Sequence, residues 1–279
     1  MQTSLPRKIS KEIKDGNKLA GDNLSLDELK KWFEEEKEAY FQSEMDTGKV
    51  DHWYKYMRFV NNRFLTKTKI FNSVAGKILF IGPADGVEAE KIAKMYPNWT
   101  LYFIESSEEF QLILRKKFPG CQIITSSIDG SINARGSFFD VICAFSVLHH
   151  MANVSKTIHE LHRVLKPKGF VFIREPCSSM GDWSKPRKAT PNERGIAKSW
   201  MVKTATSIGF KAVHNPVPIV FEPLNKLIIA RFGCPNSLLI VLYVIDRFIS
   251  GILSFNDYYW RDTVIKKFGP SSYFFSFQK

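Results

Sequence analysis

Lys77-Ile78-Leu79-Phe80-Ile81-Gly82-Pro83-Ala84-Asp85-Gly86-Val87-Glu88-Ala89-Glu90 is the stretch that decides the fold. Residues 77–81 form a short apolar run, 82–86 a turn of small residues, and 86–95 carry helical spacing. A strand, a small-residue loop and a helix in succession point free backbone N–H groups and the positive end of a helix at whatever lies above the strand end. The small residues let a ligand approach the backbone. The stretch therefore predicts a seat for a nucleotide-type cofactor.

Downstream, short apolar runs and helical patterns alternate. The spacing predicts strands over 100–104, 121–125, 139–145 and 169–174, with helices over 107–117 and 153–165. Such alternation implies an α/β fold with a Rossmann-like, doubly wound, mostly parallel sheet buried on both faces. Ligands of such a sheet bind at the carboxyl ends of the strands. Residues 177–195 are polar, turn-rich and too long for an ordinary connection, which marks a functional loop. A helix over 196–208, a strand over 209–214 and a last strand over 271–278 complete the series. Residues 236–255 are strongly apolar. Asp246 and Arg247 interrupt them, and the unbroken apolar part, Leu238 to Ile245, is far short of the roughly 20 residues that span a bilayer. A buried or interfacial helix is expected there.

Upstream, residues 1–22 read as a loose polar arm, and Ser25 with Glu28 makes a capping box ahead of an amphipathic helix. A second amphipathic helix over 50–66 carries Tyr54, Tyr56 and Arg58, candidate lid residues over the cofactor cleft. The organisation expected is an arm with lid helices over 1–70 and a main domain over 71–279. The main domain would include the acceptor loop 177–195 and a helical insertion at 222–268.

The totals narrow the classes. A net charge of +12 fits an anionic ligand or membrane face. The Lys and Arg residues are scattered, with no basic block and no RNA-binding aromatic signature, which argues against nucleic acid. Cys121, Cys143, Cys177 and Cys234 form no CxxC pair and read as reduced packing residues of a cytoplasmic protein. The N-terminal stretch has no apolar core of a secretion signal. No metal-ligand set stands out. The 23 Phe suggest a ring-rich core or pocket.

Glu105 follows the strand over 100–104 and lies 19 residues beyond Gly86 (105 minus 86). An acid at that strand end can accept both hydroxyls of an adenosine ribose. With this spacing the chain resembles the class I S-adenosylmethionine-dependent methyltransferases, particularly the small-molecule branch related to ubiquinone-type enzymes. The resemblance covers about residues 77–175. It rests on ILFIGPADG, IES, FFDVICAFSVLHHM and HELHRVLKPKGFVFIREP, in that order. It implies S-adenosylmethionine as cofactor. Gly82, Ala84 and Gly86 would line its methionine and ribose portions, Glu105 would hold the ribose hydroxyls, and Ser106 would lie near the adenine. Ser127 and Ile128 match the adenine-contacting segment, and Phe145 and Ser146 would lie beside the methionine part. Two positions depart from the family pattern. Phe80 stands where an acid usually precedes the first Gly, with Asp85 in the loop as its substitute, and Ile128 replaces the acid after the third strand, with Asp129 following.

Methyl transfer to oxygen or nitrogen needs alignment and a proton acceptor. His149 and His150 stand where the family often keeps acceptor-side groups, and Glu175 at the exit of the fifth strand is the rival base. Asp182, Trp183, Arg187 and Arg194 in the 177–195 loop are groups suited to a phosphorylated or carboxylated sugar, with Tyr56 and Arg58 joining from the lid. A looser resemblance to methyltransferases of bacterial glycan assembly points the same way. The expected activity is O-methylation of a small sugar-containing or anionic acceptor, free or lipid-linked, with room for peripheral membrane contact. N-methylation, natural-product tailoring and a non-enzymatic binding module on the same fold are the alternatives.

Overall fold

The computed structural model describes residues 4–6, 8–45, 50–66, 73–125, 127–185, 190–220 and 235–279; side chains at 37–45, 50–54 and 236 are not described. Arg187, Cys234, the first part of the 222–268 insertion and the side chain of Tyr54 lie outside what is described. The chain divides into two compact units. The first comprises Met1–Val60, Glu175–Met201 and Pro216–Phe274, the second Asn61–Arg174, Val202–Asn215 and Phe275–Lys279.

The second unit carries the cofactor-type strands. β1 (Gly76–Ile81), β2 (Trp99–Ile104), β3 (Gln122–Ile124), β4 (Phe139–Phe145) and β5 (Leu165–Pro176) belong to a sheet of order β3-β2-β1-β4-β5-β8-β6. β1 pairs in parallel with β2 and β4, β2 with β3, and β4 with β5. β6 (Lys211–Ala212) runs antiparallel to the end of β8 (Ser272–Gln278). The α/β, doubly wound, mostly parallel sheet expected from the sequence is the one observed. Its strands are apolar throughout because both faces are covered: Ile78, Leu79, Val141 and Ile142 are fully buried.

The connecting helices follow local rules. α4 (Glu90–Met95) is shorter than the 86–95 expected, because the loop first makes two tight turns, Gly86 N–H to Pro83 O and Ala89 N–H to Gly86 O. α5 (Glu108–Lys117) starts on the Ser107 side chain, which accepts from Phe110 N–H. It has Glu108 and Glu109 in its first turn and Arg115, Lys116 and Lys117 in its last, each sign matching the helix dipole. α6 (Val154–Val164) buries Val154, Thr157, Ile158, Leu161 and Val164, a stripe at three- and four-residue steps.

The first unit is mostly helical. α1 (Lys11–Lys14) lies in a segment expected to be loose, yet Leu5, Ile13, Leu19 and Ala20 are buried there and Ser4 N–H donates to Asn192 Oδ1 at 2.7 Å. α2 (Leu26–Met45) opens on the expected capping box, Ser25 N–H to Glu28 Oε2 at 2.8 Å. α3 (Val50–Leu65) passes from the first unit into the second. α7 (Lys198–Ile208), β7 (Val217–Ile219), α8 (Asn236–Leu253) and α9 (Val264–Lys267) follow; β7 runs antiparallel to the start of β8. No helix among the described residues is long and apolar enough to cross a membrane.

Candidate active site

The carboxyl ends of β1, β2 and β4 bring the predicted cofactor residues of the second unit together. Gly82 N–H donates to Ile104 O at 2.8 Å, which ties the loop to the end of β2. Gly82 has φ +56°, and a Cβ there would lie 2.3 Å from Val147 Cγ2. Gly86 has φ +74°, with Leu114 and Phe118 of the α5 segment 2.6 Å from a virtual Cβ. Ala84 adopts φ +49°, a left-handed conformation uncommon for a residue with a side chain. Gly82→Ala is expected to lower stability by about 1–3 kcal/mol from the backbone alone, and more through Val147. A denaturant midpoint at the wild-type value would show that the loop relaxes freely.

What holds Ala84 in place is Glu105. Its Oε2 accepts from Ala84 N–H and its Oε1 from Ser107 N–H, both at 3.0 Å. The carboxylate is 6% exposed, and burial raises its pKa against the opposing pull of those N–H groups. The backbone and side chain of Ser106 add to these bonds and also pull the pKa down. Ser106 is exposed beside it. Asp85 receives Val87 N–H at 3.2 Å, and Lys117 Nζ donates to the Asp85 carbonyl at 3.0 Å. Phe80, where the family has an acid, is buried with its ring 5.9 Å from that of Phe103.

Beyond β3, exposed Ser127 donates to Asp129 Oδ1 at 2.6 Å, Asp129 pairs with Lys156, and half-buried Ile128 lies between. The Lys156 and Ser127 bonds hold the Asp129 carboxyl far below its usual range. At the end of β4, Phe145 is buried and Ser146 turns to φ +54°, its N–H donating to Arg174 O at 2.7 Å. His149 and His150 form a 3-10 turn with Leu148, ring centroids 4.1 Å apart. His149 is buried and His150 half-buried.

One cluster had no place in the sequence reading. Arg174, at the end of β5, is 1% exposed. Its Nε donates to Asn61 Oδ1 at 3.1 Å, its Nη1 to Ser146 Oγ at 2.6 Å and its Nη2 lies 3.4 Å from Glu88 Oε1. Asn61 Nδ2 closes the ring with a 3.0 Å bond to the same Glu88 oxygen. The signal was an arginine ending the otherwise apolar run Gly169 to Ile173, with an acid two residues past Gly86.

The acceptor candidates fall in the first unit, and several are placed otherwise than a ligand grip requires. Tyr56 is 1% exposed, and its hydroxyl donates to Asp246 Oδ2 at 2.5 Å. Trp183 is buried edge-on to Trp260 at 5.3 Å, with Nε1 donating to Ser179 O at 2.7 Å, so its ring is covered by protein. Arg194 is wholly buried, donates to Ala20 O at 2.9 Å and lies over Trp32, and burial lowers its pKa to about 10. These three serve packing inside the unit. Glu175 is fully buried there as well. Arg58 is half-buried, and Asp182 caps Ser184, whose bonds lower its pKa.

Residues 79–173 match the protein family described as "Methyltransferase domain". A highly reducing polyketide synthase from Fusarium sp is 23% identical over 186 residues, covering 55% of this chain and 7% of that protein. The chain thus spans a small fraction of the curated relative it matches. Among solved structures, a Galdieria sulphuraria protein assigned as a sarcosine dimethylglycine methyltransferase aligns with TM-score 0.56 at 12% identity, covering 79% of this chain and 85% of that one. The [4+2]-cyclase SpnF aligns with TM-score 0.53 at 15% identity, covering 80% and 81%. Phosphoethanolamine N-methyltransferase 2 from Haemonchus contortus, in complex with S-adenosyl-L-methionine, aligns with TM-score 0.52 at 14% identity, covering 78% and 52%. At these identities the likeness shows the fold, which hosts more than one reaction.

Proposed function

From the premise that this chain carries a class I S-adenosylmethionine-dependent methyltransferase domain over residues 79–173, we propose that it transfers a methyl group to an oxygen of a small anionic or sugar-containing acceptor. The observation that carries cofactor use is the Glu105 carboxylate, fixed by two backbone N–H groups at the end of β2 beside the small-residue loop. The loop residues fit the cofactor: Gly82, Ala84 and Gly86 all hold positive φ, which brings backbone to the ligand side without bulk. They, with Asp85 and Glu105, would hold its methionine and ribose portions. Ser106, Ser127 and Ile128 would line the adenine, and Phe145 and Ser146 the methionine end.

S-adenosylmethionine supplies an electrophilic methyl group on a sulfonium. The protein's part is to align the acceptor and to take the proton from its hydroxyl. His150 is proposed for that role: it keeps partial exposure at the carboxyl end of β4, while buried His149 packs against it. The excess of positive charge, +12, favours an anionic acceptor.

Thermal-shift and calorimetric titration with S-adenosylmethionine and S-adenosylhomocysteine test cofactor use, and a panel of sugars, nucleotide sugars and small carboxylates tests the acceptor. His150→Ala is expected to lower turnover by about 10²-fold or more at unchanged cofactor affinity, and His149→Ala to lower thermal stability more than turnover. Transfer to amines alone would overturn the O-methylation reading, and wild-type turnover in both variants would move the base elsewhere, to Glu175 first.

A further inference from the structure

α8 is amphipathic in the inverted sense. Its polar residues face the protein: Asp246 and Ser250 are buried, at 2% and 0% exposure. Asp246 Oδ2 accepts from Tyr56, its Oδ1 from Ser250 Oγ at 2.8 Å and from Val220 N–H at 3.1 Å. Arg247 Nη1 donates to Pro218 O at 3.0 Å. Buried Leu239 lies on the same side. At 100° per residue, Ile240, Val241, Val244, Ile245, Phe248 and Ile252 fill an arc of about 140° on the opposite side. All six are exposed, Val244 at 61% and Phe248 at 71%. The small residues on that arc, Ser237 and Gly251, are uncharged.

The apolar surface continues past the helix. Phe255 is 81% exposed, and Asn256 Nδ2 donates to both Ile265 O and Phe268 O at 2.6 Å, which fastens α9 to the end of α8. α9 itself presents Val264, Ile265 and Phe268 to solvent, interleaved with Lys266 and exposed Lys267. Nearby carboxylates are engaged: Asp262 pairs with Lys266 at 2.8 Å and Asp257 with Lys198 at 2.6 Å. An apolar face of this size marks an interaction surface.

We infer that α8 and α9 form a docking face for an anionic lipid bilayer, with α8 lying flat in the interface. The sign of charge selects this occupant. Exposed Lys267 beside exposed Ile265 and Phe268 suits anionic headgroups over acyl chains, whereas a second copy would set one +12 chain against another. The helix, about 27 Å long at ~1.5 Å per residue, lies along the surface, because Asp246 and Arg247 are held inward.

The test is flotation of the full chain with phosphatidylcholine vesicles, with and without phosphatidylglycerol, at two salt concentrations. The expected result is binding that requires phosphatidylglycerol and weakens with salt. The double variant Val244→Glu/Phe248→Glu should bind at least about tenfold more weakly, Phe255→Ser more weakly as well, and Lys267→Glu about fivefold more weakly. Circular dichroism and the thermal shift with S-adenosylmethionine should be unchanged in each, so that loss of docking is separable from loss of cofactor binding. Absence of wild-type binding, or binding unaffected by Phe255→Ser and Lys267→Glu, would overturn the inference. So would a wild-type dimer in sedimentation that the double variant dissociates without any vesicle binding, since the face would then join two copies.

Discussion

Arg174→Met is expected to lower unfolding free energy by about 1–3 kcal/mol, the usual effect of leaving buried hydrogen-bonding groups without their partner. The methionine preserves much of the side-chain volume, so packing is not the main loss. Glu88 would lose its arginine partner, Asn61 Oδ1 would lose its donor, and Ser146 would lose its 2.6 Å partner. Urea unfolding of the full chain gives the number. Adding Glu88→Met to Arg174→Met should recover part of the loss, since it removes the half-buried carboxylate that has lost its arginine partner. A single-variant loss below about 1 kcal/mol would mean that water or a shifted side chain replaces the arginine.

Glu105→Ala is expected to weaken S-adenosylmethionine binding by about 1–3 kcal/mol through lost charged hydrogen bonds, roughly 5- to 150-fold in the calorimetric dissociation constant. It also frees Ala84 N–H, so the loop should loosen at the same time. The pH dependence has a definite sign. Burial raises the Glu105 pKa above its usual 4.5. Only the carboxylate accepts from both ribose hydroxyls, so affinity should fall as pH drops through the raised value and be flat above it; the variant should lack this step. For folding the sign is opposite. The contribution of this group is fully present below about 4.5 and is lost as pH rises through the folded-state value. An affinity equal to wild type would remove Glu105 from the cofactor site.

The sheet and its small-residue loop were legible because their signals are local. Apolar runs of strand length, punctuated by Gly82-Pro83-Ala84-Asp85-Gly86, specify strand, turn and helix without reference to the rest of the chain. What was not legible depends on distant partners. Arg174 carries no signal of its role until Asn61, 113 residues earlier, and Glu88, 86 residues earlier, arrive beside it. Arg194 and Trp183 read as ligand-gripping groups because they sit in a polar stretch. The carbonyl of Ala20, 174 residues away, takes the arginine inside, and the stretch folds back so that Ser179 O takes the indole N–H. The arm before Ser25 reads as loose because burial of single residues such as Leu5 and Ile13 leaves no periodic trace. The helix over 236–255 was legible in extent, but the direction of its apolar face was not, since Asp246 finds its donors only in the folded chain.

Ala84 holds an uncommon backbone conformation, kept there by Glu105, and Gly82, Gly86 and Asp85 are each tied by bonds of their own. The loop is therefore preorganised, and association with a cofactor orders little additional chain. The conformational entropy that a floppy loop would surrender at each encounter has already been surrendered once, at folding. Every encounter would then start from the same receptor shape, and the strain at Ala84 is carried by the stability of the domain.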